Sequence, residues 1–168
     1  MPKTQVFAFT SRYNRLSNVL INDCGIYSLL ENPGQTDPGS LAPKFYKAIW
    51  DTGATNTSIT QKVASECGLM PIGTARVHHA QGVETVDVFL ASILLPNRIV
   101  IPEITVTKAN LIGADMLIGM DIIGRGDFAV SNFNGSTRFS FRMPSLVHFD
   151  LGDISQRGKS GRNKRRKK

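Results

Sequence analysis

The octapeptide Ala48-Ile49-Trp50-Asp51-Thr52-Gly53-Ala54-Thr55 holds the residues best suited to chemistry. An apolar strand runs into a carboxylate, then a hydroxyl, a glycine and a small residue. An Asp at the end of a buried strand is costly unless it is hydrogen-bonded or put to use. Gly53 has no Cβ, so the backbone can bend there and bring an N–H to the carboxylate. Ala54 leaves that carboxylate approachable from one side. The plainer alternative is an Asx-type turn, in which Asp51 only caps the backbone after a strand. The context is tighter than a lone turn, with Tyr46 to Trp50 before it and apolar Ile59 after a polar Thr/Asn/Ser run.

A carboxylate set in this way suits peptide hydrolysis, provided a second one joins it. One takes a proton from water; the other, protonated, hydrogen-bonds the scissile carbonyl and later supplies the leaving amine. Asp-Thr-Gly occurs once. Asp121-Ile122, Asp127-Phe128 and Asp150-Leu151 all lack a small hydroxyl residue in second place.

Asp51-Thr52-Gly53-Ala54 resembles the active-site motif of the aspartic proteases, in the retroviral-type (retropepsin) branch. About 65 residues on, Met116-Leu117-Ile118-Gly119-Met120-Asp121 resembles the family's apolar-apolar-Gly segment. The resemblance spans residues 45–141 and is nearer to bacterial retropepsin-like proteins than to retroviral ones. It implies an aspartic endopeptidase needing no cofactor. At this length the chain resembles half of a two-lobed enzyme, so Asp51 would meet its copy across the axis of a C2 homodimer. Thr52 would hydrogen-bond across that axis, and Gly53 would offer its N–H to the carboxylate. Ala54 stands where acid-acting relatives have Ser. Fewer hydrogen bonds to an ionised dyad favour its protonated form, which implies activity in mildly acidic to near-neutral solution. Ile118 and Gly119 would pack the second motif beneath the Asp loop. Asp121 would cap a helical turn or pair with a base such as Arg125. The flap over bound peptide would have its tip at Ala80, Gln81, Gly82 and Val83. Substrate peptide would lie extended beneath it, adding a strand through backbone hydrogen bonds.

The elements that must position these groups are short. Strand-like pieces fall at 5–10, 17–21 and 25–29, and residues 31–43 form a Pro- and Gly-rich loop. Residues 45–50 deliver Asp51. Ser58 or Thr60 can cap a short helix through 64–67, with Ile59, Val63 and Cys67 on its inner face and Gly68 as its stop. Segments 74–79 and 84–93 make a hairpin, 99–107 another strand edged by Pro96 and interrupted by Pro102, and 116–118 a strand ending at Gly119. A single helical turn follows around 121–123. Asn134-Gly135 between 128–133 and 136–141 is the strongest hairpin signal. These features mean an all-β domain with one or two short helices. Its expected form is a small closed or nearly closed β-barrel, which the resemblance makes retropepsin-like and dimeric. The expected organisation is 1–44 as N-terminal strands and loop of the same domain, 45–143 as core, 144–155 as an extension and 156–168 as a basic tail. Two departures from the minimal retroviral form stand out: about fifty residues precede Asp51, and Gly82 is the one glycine at the flap tip.

The 168 residues suffice for one domain with a sizeable core. No apolar run reaches the ~18 residues of a membrane helix, no signal peptide is evident, and two cysteines form no disulfide framework. A cytoplasmic setting and no membrane contact are expected. The net charge of +7 belongs to the tail: residues 157–168 carry eight Lys or Arg and no acid, leaving twelve basic against thirteen acidic residues elsewhere. That tail could make weak nonspecific contacts with nucleic acid or an acidic surface, or serve only solubility. With no aromatic residue interleaved, sequence-specific nucleic-acid binding is not expected. His78 and His79, adjacent on a strand, point to opposite faces and cannot chelate one metal together, so no metal site is expected. The rival to the enzyme is a catalytically silent dimer of the same fold that holds extended peptides as a scaffold.

Overall fold

The computed structural model describes residues 5–27, 42–79, 82–96 and 98–152. The expected tail at 156–168, most of the loop at 31–43, the end of the strand at 25–29 and the flap residues Ala80 and Gln81 lie outside these.

The chain is mostly β-strand with two short helices. In chain order the elements are β1 (Phe7–Arg12), β2 (Ile21–Tyr27), β3 (Lys44–Trp50), β4 (Ser58–Ile59), α1 (Gln61–Glu66), β5 (Pro71–His79) and β6 (Gly82–Leu94). Then follow β7 (Val100–Lys108), β8 (Met116–Ile118), α2 (Met120–Ile123), β9 (Asp127–Phe133) and β10 (Ser136–Met143). Seven strands form one sheet in the order β2-β3-β8-β4-β7-β6-β5, and pairing of β2 with β6 closes six of them into a ring. β5 hangs from the ring as the outer strand of the β5–β6 hairpin.

The remaining strands form a separate sheet, β1-β10-β9. Its inner face, with β3, builds an aromatic cluster. Trp50 stacks on Phe128 at 6.0 Å and 6° and meets Phe9, Phe139 and Phe141 at 5.1–5.8 Å. Its indole N–H donates to Asn22 Oδ1 at 2.9 Å, so the one polar atom on a buried ring has a partner. This packing anchors the strand at the residue before Asp51.

Three local readings need correction. Residues 17–21 form no strand before Ile21, because the Ser17 hydroxyl donates to the Val19 carbonyl and turns the chain. Ser58 lies in β4, and Thr60 is the helix cap, its hydroxyl accepting from Val63 N–H at 3.4 Å. Helix α1 accordingly runs Gln61–Glu66 and ends at Cys67, and Ile59, Val63 and Cys67 all lie in the core. At Pro102, which has no N–H to give, β7 bulges without ending. The register slips between Ala91 and Ile93, Glu103 takes φ +47°, and its N–H goes to the Ser92 hydroxyl. The hairpin at Asn134-Gly135 has φ of +49° and +72°, the pairing a tight two-residue turn requires.

Candidate active site

Asp51 sits where β3 leaves the sheet. Strand β8 runs parallel to β3, with Trp50 opposite Ile118, and Asp51 N–H donates to the Ile118 carbonyl at 3.0 Å. The chain then turns. Gly53 N–H donates to Asp51 Oδ1 at 2.8 Å and Ala54 N–H to the Asp51 carbonyl at 3.3 Å. A Cβ on Gly53 would stand 3.1 Å from Asp51 Oδ1, so the bare glycine lets its N–H face the carboxylate closely. The hydrogen bond is an Asx turn in form, and it leaves the rest of a half-buried carboxylate free for other partners.

The second motif is laced to this loop along its length. Met120 N–H donates to the Ala54 carbonyl at 2.8 Å and Asp121 N–H to that of Thr55 at 3.1 Å. Gly119 N–H donates to the Thr57 hydroxyl at 3.1 Å, which in turn donates to Asp121 Oδ1 at 2.7 Å; Thr57 N–H reaches Asp121 Oδ2 at 2.9 Å. Thr57 is fully buried, so both its polar groups depend on these partners. A Cβ on Gly119 would lie 2.6 Å from the Asn56 carbonyl carbon and 3.0 Å from the Ala54 oxygen. Loop and motif touch backbone to backbone there. Asp121 is thus neither a side-chain cap nor the partner of a base: its carboxylate clamps Thr57, and Arg125 Nε donates to its backbone carbonyl at 2.8 Å.

A groove of about 540 Å³ opens over the Asp51 loop, between that loop and the β5–β6 hairpin. Asp51, Gly53, Ala54, Thr55, Asn56 and Ser58 line one side, with Thr107 and Leu117. Residues 75–78 of β5 line the other, exposed Arg76 and His78 among them. Asp51 is its one acidic lining residue among those described. Gly82 takes φ +132° as β6 begins, and Val83 beside it is exposed; both sit at the end of the hairpin arm. Thr52 is exposed at the mouth of the loop. Sequence reasoning missed two features: the clamp of Thr57 by Asp121, and the Ser58–Thr107 hydroxyl pair in the groove. The polar Thr-x-Thr-Ser run after Asp51 was the available signal for both.

Two arrays lie apart from the groove. Asp127 is nearly buried and takes hydrogen bonds from the Ser145 hydroxyl, Leu146 N–H and the Arg142 guanidinium, which hold its carboxyl down to about 2. Burial pushes the Cys24 thiol up to about 12, with Asp23 nearby adding to the effect. Among the described residues no three His, Cys, Asp or Glu side chains gather closely enough to hold a metal ion, and no helix is long and apolar enough to cross a membrane.

Comparison with known families bears on this geometry directly. Residues 39–125, just over half of the chain, match the family described as "gag-polyprotein putative aspartyl protease", and the match takes in both the Asp51 loop and the second motif. The chain belongs to this family. It is therefore a member of the retropepsin-like aspartic proteases. Among solved structures it is similar to a retropepsin-like aspartic protease from Rickettsia conorii, at 13% identity and a TM-score of 0.49, over 84% of this chain and 98% of that one. It is also similar to the Simian Foamy Virus (mac) protease, at 19% identity and a TM-score of 0.40, over 62% and 92% respectively. The curated proteins include no match to this sequence.

Proposed function

We propose that this protein is an aspartic endopeptidase whose active form is a C2 homodimer with one Asp51 from each chain. The observation that carries the proposal is the Asp51 carboxylate itself. It is fixed by the Gly53 N–H at 2.8 Å, half open, and the one acid described on the wall of a groove of about 540 Å³. A lone carboxylate cannot both activate water and protonate the carbonyl, so one per chain calls for two chains.

In the dimer the two Asp51 side chains share a proton around a water. The ionised one takes a proton from that water as its oxygen attacks the scissile carbonyl; the protonated one gives its proton to the carbonyl oxygen. The resulting diol collapses, the C–N bond breaks, and the amine leaves with a proton from the dyad. Thr52, exposed at the loop mouth, faces the partner and steadies the paired loops. Ile118 and Gly119 hold the loop from below. The β5–β6 arm, with Gly82 and Val83 at the end of its described part, closes over the peptide, whose backbone pairs with the groove as an added strand.

The test is cleavage of a mixed peptide library from acidic to neutral pH at high protein concentration, read by mass spectrometry, with Asp51→Asn protein alongside. Cuts made by the wild type and absent from the variant support the enzyme. A dimer that makes no cuts yet retains peptides is the scaffold instead.

A further inference from the structure

The groove floor beside Asp51 is unexpectedly polar. Ser58 of β4 and Thr107 of β7 lie opposite each other in register, and their hydroxyls are hydrogen-bonded at 2.8 Å. Both line the groove, together with the exposed side of Asn56 and with Leu117. Two hydroxyls contain two hydrogens, and their mutual bond uses one. Neither hydroxyl, nor the Asn56 carboxamide, has another side-chain partner among the described residues. The pair therefore presents one spare donor and several acceptor lone pairs to whatever fills this part of the groove.

We propose that the Ser58–Thr107 pair, with Asn56, selects a carboxamide side chain, Asn or Gln, in the substrate. This rests on the groove being the peptide site. An aliphatic side chain seated there would strip water from the spare donor and give nothing back. An ammonium has no acceptor for that donor. A carboxylate has one, but it carries no N–H for the pair's acceptor lone pairs. A carboxamide offers donor and acceptor together. A dimer carries two such pairs related by its axis, so the preference falls on both sides of the scissile bond, equally far from it.

The experiment reads one peptide library in two ways: cleavage by wild-type protein, and retention on immobilised Asp51→Asn protein. The expected result is enrichment of Asn and Gln over Leu by about ten-fold at one position on each side of the cut. The double variant Ser58→Ala/Thr107→Val, which removes both hydroxyls and keeps the Thr107 shape, should shift that position to aliphatic residues. Thr107→Ser, which keeps the hydroxyl, should retain the carboxamide preference. Aliphatic or acidic preference in the wild type, or a preference the double variant leaves unchanged, overturns the proposal. Retention with this preference but no cleavage supports it and removes the enzymatic reading. A protein that neither cuts nor retains peptides overturns both.

Discussion

The carboxylate of Asp121 receives both the backbone N–H and the hydroxyl of Thr57, at 2.9 and 2.7 Å, and so ties the second motif to the loop that begins at Asp51. Thr57 is fully buried, so its N–H and hydroxyl depend on that carboxylate. Asp121→Ala should therefore destabilise the fold by about 2–3 kcal/mol, the cost of stranding buried donors. Asn at this position keeps one acceptor but turns an N–H toward the other donor, and should fall between. Urea denaturation of the three proteins checks the order; equal midpoints would mean the clamp contributes nothing.

Gly119 offers a sharper test of the same contact. A Cβ there meets the Asn56 backbone at 2.6 Å, and backbone on both sides cannot yield as a side-chain end would. Gly119→Ala should cost about 1–3 kcal/mol by overpacking. It should also displace the Asp51 loop enough to lower peptide cleavage by about a hundred-fold. Gly73→Ala is the control, since nothing lies within 4 Å of a Cβ built there. It should leave stability and cleavage nearly unchanged.

Stability should fall in acid through Asp127. Its hydrogen bonds from Ser145 and Leu146, with the Arg142 guanidinium, lower its carboxyl from 3.8 to about 2. A depressed folded-state value means the native protein binds the proton less readily than the unfolded chain. The contribution is thus complete above the unfolded value near pH ~4 and lost as pH falls through about 2. Denaturation midpoints of wild type and Asp127→Asn should differ most near neutrality and converge across that window. A constant difference would contradict this.

Cys24 should be chemically silent in the native protein. Burial lifts its thiol to about 12, so almost no thiolate exists near neutral pH, and the sulfur is fully covered. Iodoacetamide at pH ~8 should label it only when denaturant is added, as mass spectrometry would show. Rapid labelling of folded protein would mean that the β2–β3 region opens readily.

Much of this architecture was legible locally. The apolar run into Asp51, the glycine after it, the Asn134-Gly135 turn and the Ile59/Val63/Cys67 face each express one element's own preference, and short-range patterning reports such things. What stayed hidden depends on pairings between distant segments. Nothing in residues 44–50 says that Trp50 lies parallel to Ile118, or that β2 returns to β6 to close the ring. Polar residues were the hardest to place. Asp121 resembled a helix cap because caps and clamps use the same carboxylate; only the fold brings Thr57 within reach. Ser58 resembled a cap for the same reason, and its real neighbour, Thr107, is 49 residues away.

The central claim is that one site is built from two chains, and a mixing titration tests it most directly. Wild-type protein at a concentration that saturates dimer formation is equilibrated with increasing Asp51→Asn protein, and the rate on a peptide the wild type cleaves is followed. A shared dyad predicts that mixed dimers are inactive, so equal amounts should cut the rate to about half and a large excess should abolish it. A rate unaffected by excess variant would show that each chain works alone, and the shared dyad would fall.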